Sequence, residues 1–259
     1  MNEPADFNRL AGLYRWMEFF SFGPWLALTR RTFLGRLSHV RRALVLGDGD
    51  GRFTAGLLRA NPHVHIEAVD ASAAMLQGLL GRAGPHADRV RICQADVRAW
   101  QPPAAVAAPP YDLIATHFFL DCLTTPEVQS LTESLRGAVS PSALWVVSEF
   151  AIPPGWRGRL FAGPIVASLY FSFGLLTGLT VRSLPDHASA LRQAGFALFD
   201  RRSRLGGLLI AELWSADSSQ SALTPPLRNC YKRVNIDDPG MKSWSEKRPQ
   251  RAASRALQH

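Results

Sequence analysis

The sequence predicts an α/β fold: a doubly wound sheet of seven strands, the last antiparallel, with an N-terminal helical cap and an apolar helical insert after the fifth strand. Three observations predict it. Apolar strand-like runs alternate with helical stretches from residue 42 to residue 150, the rhythm of strand-helix-strand units that build a parallel sheet. The first of those runs feeds directly into a glycine-rich turn and then a helix. Two final strand-like runs are joined by a link too short for a crossover, so they must pair antiparallel.

The elements follow in order. FNRLAGLYRWMEFFSFGPWLALTRRTFLGRL reads as helices broken at Gly23-Pro24, and residues 1–40 form the helical cap. Strand RALVL, the turn GDGDG and helix FTAGLLRA come next, the helix stopped by Asn61-Pro62. Strand VHIEAVD runs into helix SAAMLQGLLG, with Ser72 as its N-cap. Strand VRICQ leads to Asp96, and QPPAAVAAPP is an exposed connector. Strand YDLIATHFF precedes a helix that starts at Thr125-Pro126-Glu127 and that Pro141 ends; strand ALWVVSEF follows.

After Phe150 the rhythm breaks. From Leu160 to Val181 there is no charged residue, and about 20 apolar residues are what a membrane span requires. Gly163-Pro164, Ser168, Ser172, Thr177 and Gly178 dilute the stretch, so residues 155–182 are read as an apolar insert covering a pocket, able to dip into a bilayer surface. Helix DHASALRQAGF and strands FALFDRRSR and GLLIAELWS complete the domain of residues 41–215, and residues 216–259 read as a disordered basic tail.

Of 259 residues, 47% are apolar, ample for a core. The net charge of +8 invites a nucleic-acid reading, but its distribution weakens it: residues 1–215 hold 21 basic and 17 acidic side chains, the tail 8 and 4. The tail has no aromatic platform for bases, so no nucleic-acid partner is expected. All three lysines, Lys232, Lys242 and Lys247, lie in the tail, which excludes a P-loop, a kinase and a Tyr-x-x-x-Lys dehydrogenase. Cys93, Cys122 and Cys230 are far apart and odd in number, so neither a zinc cluster nor a disulfide framework is expected, and the compartment is read as reducing. The polar N-terminus MNEPADFNRL does not resemble a secretory signal. The expected location is cytoplasmic, with peripheral contact at the inner face of the membrane.

Chemistry concentrates at strand ends. Gly47, Asp48, Gly49, Asp50 and Gly51 form a G-x-G-x-G turn; a dinucleotide G-x-G-x-x-G would need glycine at Arg52 or Thr54. Two carboxylates at this turn repel a pyrophosphate and suit the ammonium and sulfonium of S-adenosylmethionine. Asp70 ends the second strand, 19 residues beyond Gly51, followed by Ala71; its carboxylate can accept both hydroxyls of a ribose. Asp96 follows the third strand, placed to accept from an adenine amine, with Val97 as an apolar wall. Open parallel sheets bind ligands at this edge.

These residues resemble the Rossmann-like class I S-adenosylmethionine-dependent methyltransferases, over roughly residues 5 to 214. The resemblance implies that the glycine turn cradles the methionine part, Asp70 holds the ribose and Asp96 meets the adenine. One position departs: Val45 stands where the family usually has an acid. The opening FNRLAGLYRW is similar to the N-terminal helix of the ubiquinone and menaquinone biosynthesis methyltransferases, which implies that Tyr14 closes over the cofactor. Thr116 to Asp121 lacks the Asn-Pro-Pro-Tyr signature of amino-methylating enzymes, so base methylation is disfavoured.

His117 is the candidate general base, with Asp121 four residues on to orient it. Glu149 at the end of the fifth strand is the second choice, and Cys122 reads as a small buried residue. No metal is expected. The expected acceptor is a hydrophobic small molecule, a quinone precursor, isoprenoid or lipid, with a membrane surface as a second partner. Two rival readings stay open: an NAD-dependent oxidoreductase, and a non-catalytic membrane-associated binding protein on the same fold.

Overall fold

The structure, a computed structural model, describes residues 23–103, 109–153 and 184–216. Within them lie helices α1 (Gly23–Arg30), α2 (Arg52–Ala60), α3 (Ala73–Ala83), α4 (Thr125–Arg136) and α5 (His187–Gln193). The strands are β1 (Arg42–Leu46), β2 (His65–Asp70), β3 (Val90–Gln94), β4 (Tyr111–His117), β5 (Val139–Phe150), β6 (Ala197–Arg204) and β7 (Leu209–Ser215). They form one sheet in the order β3-β2-β1-β4-β5-β7-β6. The first five strands pair in parallel; β7 is antiparallel to both neighbours, Glu149 facing Ile210 and Arg201 facing Glu212. The seven-stranded expectation with an antiparallel last strand is met. The strand order adds what local pattern cannot supply: β7 inserts between β5 and β6.

Both faces of the sheet are covered, so its central strands read as continuous apolar runs. On one face Leu44, Leu46, Ile114, Trp145 and Val147 pack with Val128, Leu131 and Leu135 of α4 and Leu191 of α5. On the other, Ala43, Val45, Ala115 and Val146 pack with Phe53 and Leu57 of α2 and with Phe33 and Leu37. Each large side chain fully buried this way contributes roughly 1.5–3 kcal/mol. The buried indoles are satisfied: Trp145 Nε1 donates to Thr116 Oγ1 at 3.0 Å and Trp214 Nε1 to Glu212 Oε2 at 3.0 Å.

Helix ends follow their capping chemistry. Ser72 accepts from the Met75 N–H, and Thr124 and Glu127 form a reciprocal capping box that starts α4. Asn61 does more than stop α2: its buried amide donates to Leu37 O (2.9 Å) and Val40 O (2.7 Å) and its oxygen accepts from His63 N (2.9 Å), tying three segments together. One expectation is corrected. Helix α4 ends at Arg136, and Pro141 lies inside β5, where pairing with β4 jumps from Val139 to Leu144 and leaves the proline outside the ladder. Ala216, assigned to the tail, still donates to Ala143 O at 2.9 Å. No helix among the described residues is long and apolar enough to cross a membrane. The cap before Gly23, with Tyr14, most of the insert and the rest of the tail lie outside the described residues.

Candidate active site

The strand order brings the ends of β1, β2 and β3 side by side. There Gly47, Gly49 and Gly51 have φ of +62°, +58° and +81°, a region that side chains other than glycine rarely adopt. Their surroundings differ. A β-carbon on Gly47 would overlap the Phe119 ring, and one on Gly51 would meet Leu79 Cα at 2.8 Å. On Gly49 it would meet only Met75 Sδ, at 3.8 Å. Two of the glycines therefore permit close packing, while Gly49 presents bare backbone to open space.

The acids of the turn are engaged within the protein, which corrects the reason for expecting them to draw a cation. Asp48 caps α2, accepting from Phe53 N at 3.2 Å and Thr54 N at 2.8 Å. Burial pushes its carboxyl up, opposed by those bonds and by Arg30. Asp50 pairs with Arg82 and, at 3.2 Å, with Arg52. Asp70 accepts from Ser72 N at 2.9 Å, and burial pushes its pKa up, opposed by that bond and by the neighbouring Gly49 N–H.

Asp96 is exposed, accepts from Arg98 N at 3.0 Å and pairs with the Arg98 guanidinium at 3.3 Å. Arg98 also reaches Glu127 (2.9 Å) and Cys122 O (3.2 Å). Val97 is buried in the core and Ala71 is exposed, its carbonyl accepting from Gln94 Nε2 at 3.3 Å. Val45, in the place of the family's acid, is buried against the α2 face.

The other half of the edge, at β4, β5 and β7, holds the titratable groups. His117 is 2% exposed, with Nδ1 2.9 Å from Ser148 Oγ and its ring 4.2 Å from that of Phe53. Burial and the nearby Arg30 cation push its pKa well below 6.5, which keeps the ring neutral. The partner expected for it, Asp121, is replaced by Ser148. Asp121 instead sits in a turn, Leu120–Cys122, and accepts from Cys122 Sγ at 3.6 Å. Burial raises its pKa to about 6, and burial pushes the Cys122 thiol up.

Glu149 is 1% exposed; its Oε1 accepts from Leu120 N (2.9 Å) and Phe119 N (3.2 Å), and its Oε2 has no hydrogen-bond partner among the described residues. Burial, then the charge of Asp121, pushes its pKa well above 4.5. Alternation along β5 sets Glu149 on the face of Trp145 and Val147, opposite to Ser148 and His117.

A second histidine was missed in the sequence. His187 Nε2 lies 3.1 Å from Glu212 Oε2, and Glu212, 1% exposed, also receives the Trp214 indole N–H and, at 3.4 Å, Arg201. Burial opposes its charge, but His187, Arg201 and Trp214 together hold its carboxyl below 4.5. The only local signal was an acid within the apolar run LLIAELWS.

A parallel 3-2-1-4-5 sheet extended by an antiparallel 7-6 pair, with a glycine turn after the first strand and an acid ending the second, is an α/β fold of the methyltransferase type. Residues 44–144 match the model of a family described as methyltransferase domain. A malonyl-[acyl-carrier protein] O-methyltransferase of Paenibacillus sp. (strain JDR-2) is 31% identical over 162 residues, covering 60% of this chain. The match spans about half the length of that relative, 55%. Among solved structures, an O-methyltransferase family protein from Burkholderia thailandensis superposes with a TM-score of 0.60 at 14% identity, over 82% of this chain and 60% of its own. The mitomycin 7-O-methyltransferase MmcR gives 0.56 at 18%, over 81% and 60%. At these identities the two structures show a shared fold.

Proposed function

We propose that this chain transfers a methyl group from S-adenosylmethionine to an oxygen atom of a hydrophobic small molecule. The observation that carries the reading is the Gly49 backbone, open on its outer face and next to the Asp70 carboxyl. It fits the methionine portion of the donor, and the remaining acceptor capacity of the Asp70 carboxylate fits the ribose hydroxyls. In this reading Gly47, Asp48, Asp50 and Gly51 shape the turn. Ala71, Asp96 and Val97 line the adenine side, and Tyr14 closes over it.

S-adenosylmethionine supplies an electrophilic methyl group on a sulfonium, so the chain's task is to align two reactants and exclude water. The O-methyltransferase relatives support oxygen as the accepting atom. A quinone-type, isoprenoid or lipid-like acceptor is supported by apolar side chains near the second half of the edge: Leu26, Phe118, Phe150 and Leu209 form one cluster, and Trp25, Leu28 and Ile152 are exposed. The same exposed groups support contact with a membrane surface.

Isothermal calorimetry with S-adenosylmethionine, S-adenosylhomocysteine and NAD tests the donor. Both sulfur compounds should bind in the micromolar range and NAD should not; binding of NAD alone overturns the reading. Incubation with methyl-labelled donor and a lipid extract, followed by mass analysis of the labelled product, identifies the acceptor.

A further inference from the structure

The mechanism so far leaves unused a histidine-carboxylate pair and a buried acid beside it. His187 opens α5 and gives its Nε2 to Glu212, whose carboxylate is held by Trp214 and Arg201 as well. A carboxylate so fixed sets the tautomer: Nε2 carries the hydrogen and Nδ1 the lone pair. No hydrogen bond within the described residues engages that Nδ1. The side chain of His187 lies close to Asp121, and those of Asp121 and Glu212 lie close to Glu149. The four side chains thus gather where β4 and β5 end and β7 begins. Glu149 Oε2, buried there, has no hydrogen-bond partner among the described residues. His117 lies on the opposite face, bonded to Ser148.

We propose that His187, oriented by Glu212, takes the proton from the methyl acceptor, and that this acceptor is a neutral hydroxyl compound rather than a carboxylic acid. The proposal rests on the methyl-transfer reading above. In the step, the acceptor oxygen forms the new C–O bond to the methyl carbon as the C–S bond breaks and its electron pair goes to sulfur. The hydroxyl proton passes to His187 Nδ1, and Glu212 stabilises the imidazolium until the proton is released to solvent. A carboxylate acceptor has no proton to surrender. It would also bring a negative charge beside Asp121 and Glu149, two acids that already oppose each other's ionisation. A hydroxyl can instead bond to the waiting Glu149 oxygen.

The test uses the full chain saturated with S-adenosylhomocysteine and two flat probes of matched shape, 2-naphthol and 2-naphthoate, in calorimetry at pH 7.5. Naphthol should bind at least about tenfold more tightly. It should also move the His187 ring resonances in a histidine-labelled NMR spectrum, assigned by their loss in His187→Gln. That variant should keep its S-adenosylhomocysteine affinity within about twofold and lose most of the naphthol preference. Naphthol failing to bind, naphthoate binding as tightly, or unmoved His187 signals overturn the proposal. Failure of S-adenosylhomocysteine itself to bind overturns the underlying methyl-transfer reading instead. Should His187→Gln not fold, Glu212→Gln serves: it should keep its S-adenosylhomocysteine affinity within about twofold and lose most of the naphthol preference, and an unchanged preference overturns the assignment.

Discussion

The ring of Phe119 lies directly on the backbone of Gly47, in the space a β-carbon would occupy. The end of β4 is thereby packed onto the turn after β1, so the two halves of the sheet edge share one contact. Gly47→Ala should cost about 3 kcal/mol, from overpacking and from a positive φ that alanine resists. In a Phe119→Ala background the steric part disappears and about 1 kcal/mol should remain. Urea denaturation of the double-mutant cycle measures this, and equal costs in both backgrounds would refute the contact.

The turn's other two glycines should separate stability from binding. Gly51→Ala drives a methyl group into the α3 backbone at Leu79 and should lose about 3 kcal/mol of stability. Gly49→Ala meets nothing closer than Met75, so it should lose only about 1 kcal/mol. Its S-adenosylmethionine affinity should fall by more than about tenfold. Calorimetry beside denaturation distinguishes the two; a Gly49→Ala protein that binds normally would show that the donor does not lie on that backbone.

Asp121 makes stability depend on pH with a definite sign. Its carboxyl is raised from 3.8 to about 6, so between those values the folded chain holds a proton that the unfolded chain has lost. Its contribution is therefore fully present below 3.8 and declines as pH rises through about 6. Asp121→Asn removes the dependence, so the variant should gain on the parent protein from pH 4 to pH 6 and hold that gain above. Urea midpoints across this range are the measurement, and a constant difference would mean that the raised pKa is absent.

Asn61 is 1% exposed and makes three hydrogen bonds within the α2 end and the segment before β1. Asn61→Ala removes the Asn61 donor from Val40 O and one of the two donors to Leu37 O, which keeps the Val40 N–H at 3.2 Å, and should cost about 2 kcal/mol. Asn61→Asp should cost at least as much, because it sets a carboxylate against those same oxygens. Thermal unfolding of both variants tests the order; an aspartate variant as stable as the parent would disprove it.

What the sequence determined by itself is local. The strands and helices, the glycine turn and the acid at the end of β2 were legible because alternation, helical period and turn chemistry all act between near neighbours. What only the tertiary structure decided is which side chain meets which. Asp50 finds Arg82, 32 residues away, rather than a ligand; His117 finds Ser148, 31 away, rather than Asp121; and His187 finds Glu212, 25 away. Each pairing depends on strand order and on which face a strand turns to its neighbours, above all on β7 entering between β5 and β6. Burial then sets the charges, since removal from water raises a carboxyl or lowers an imidazole according to surroundings that no run of adjacent residues encodes.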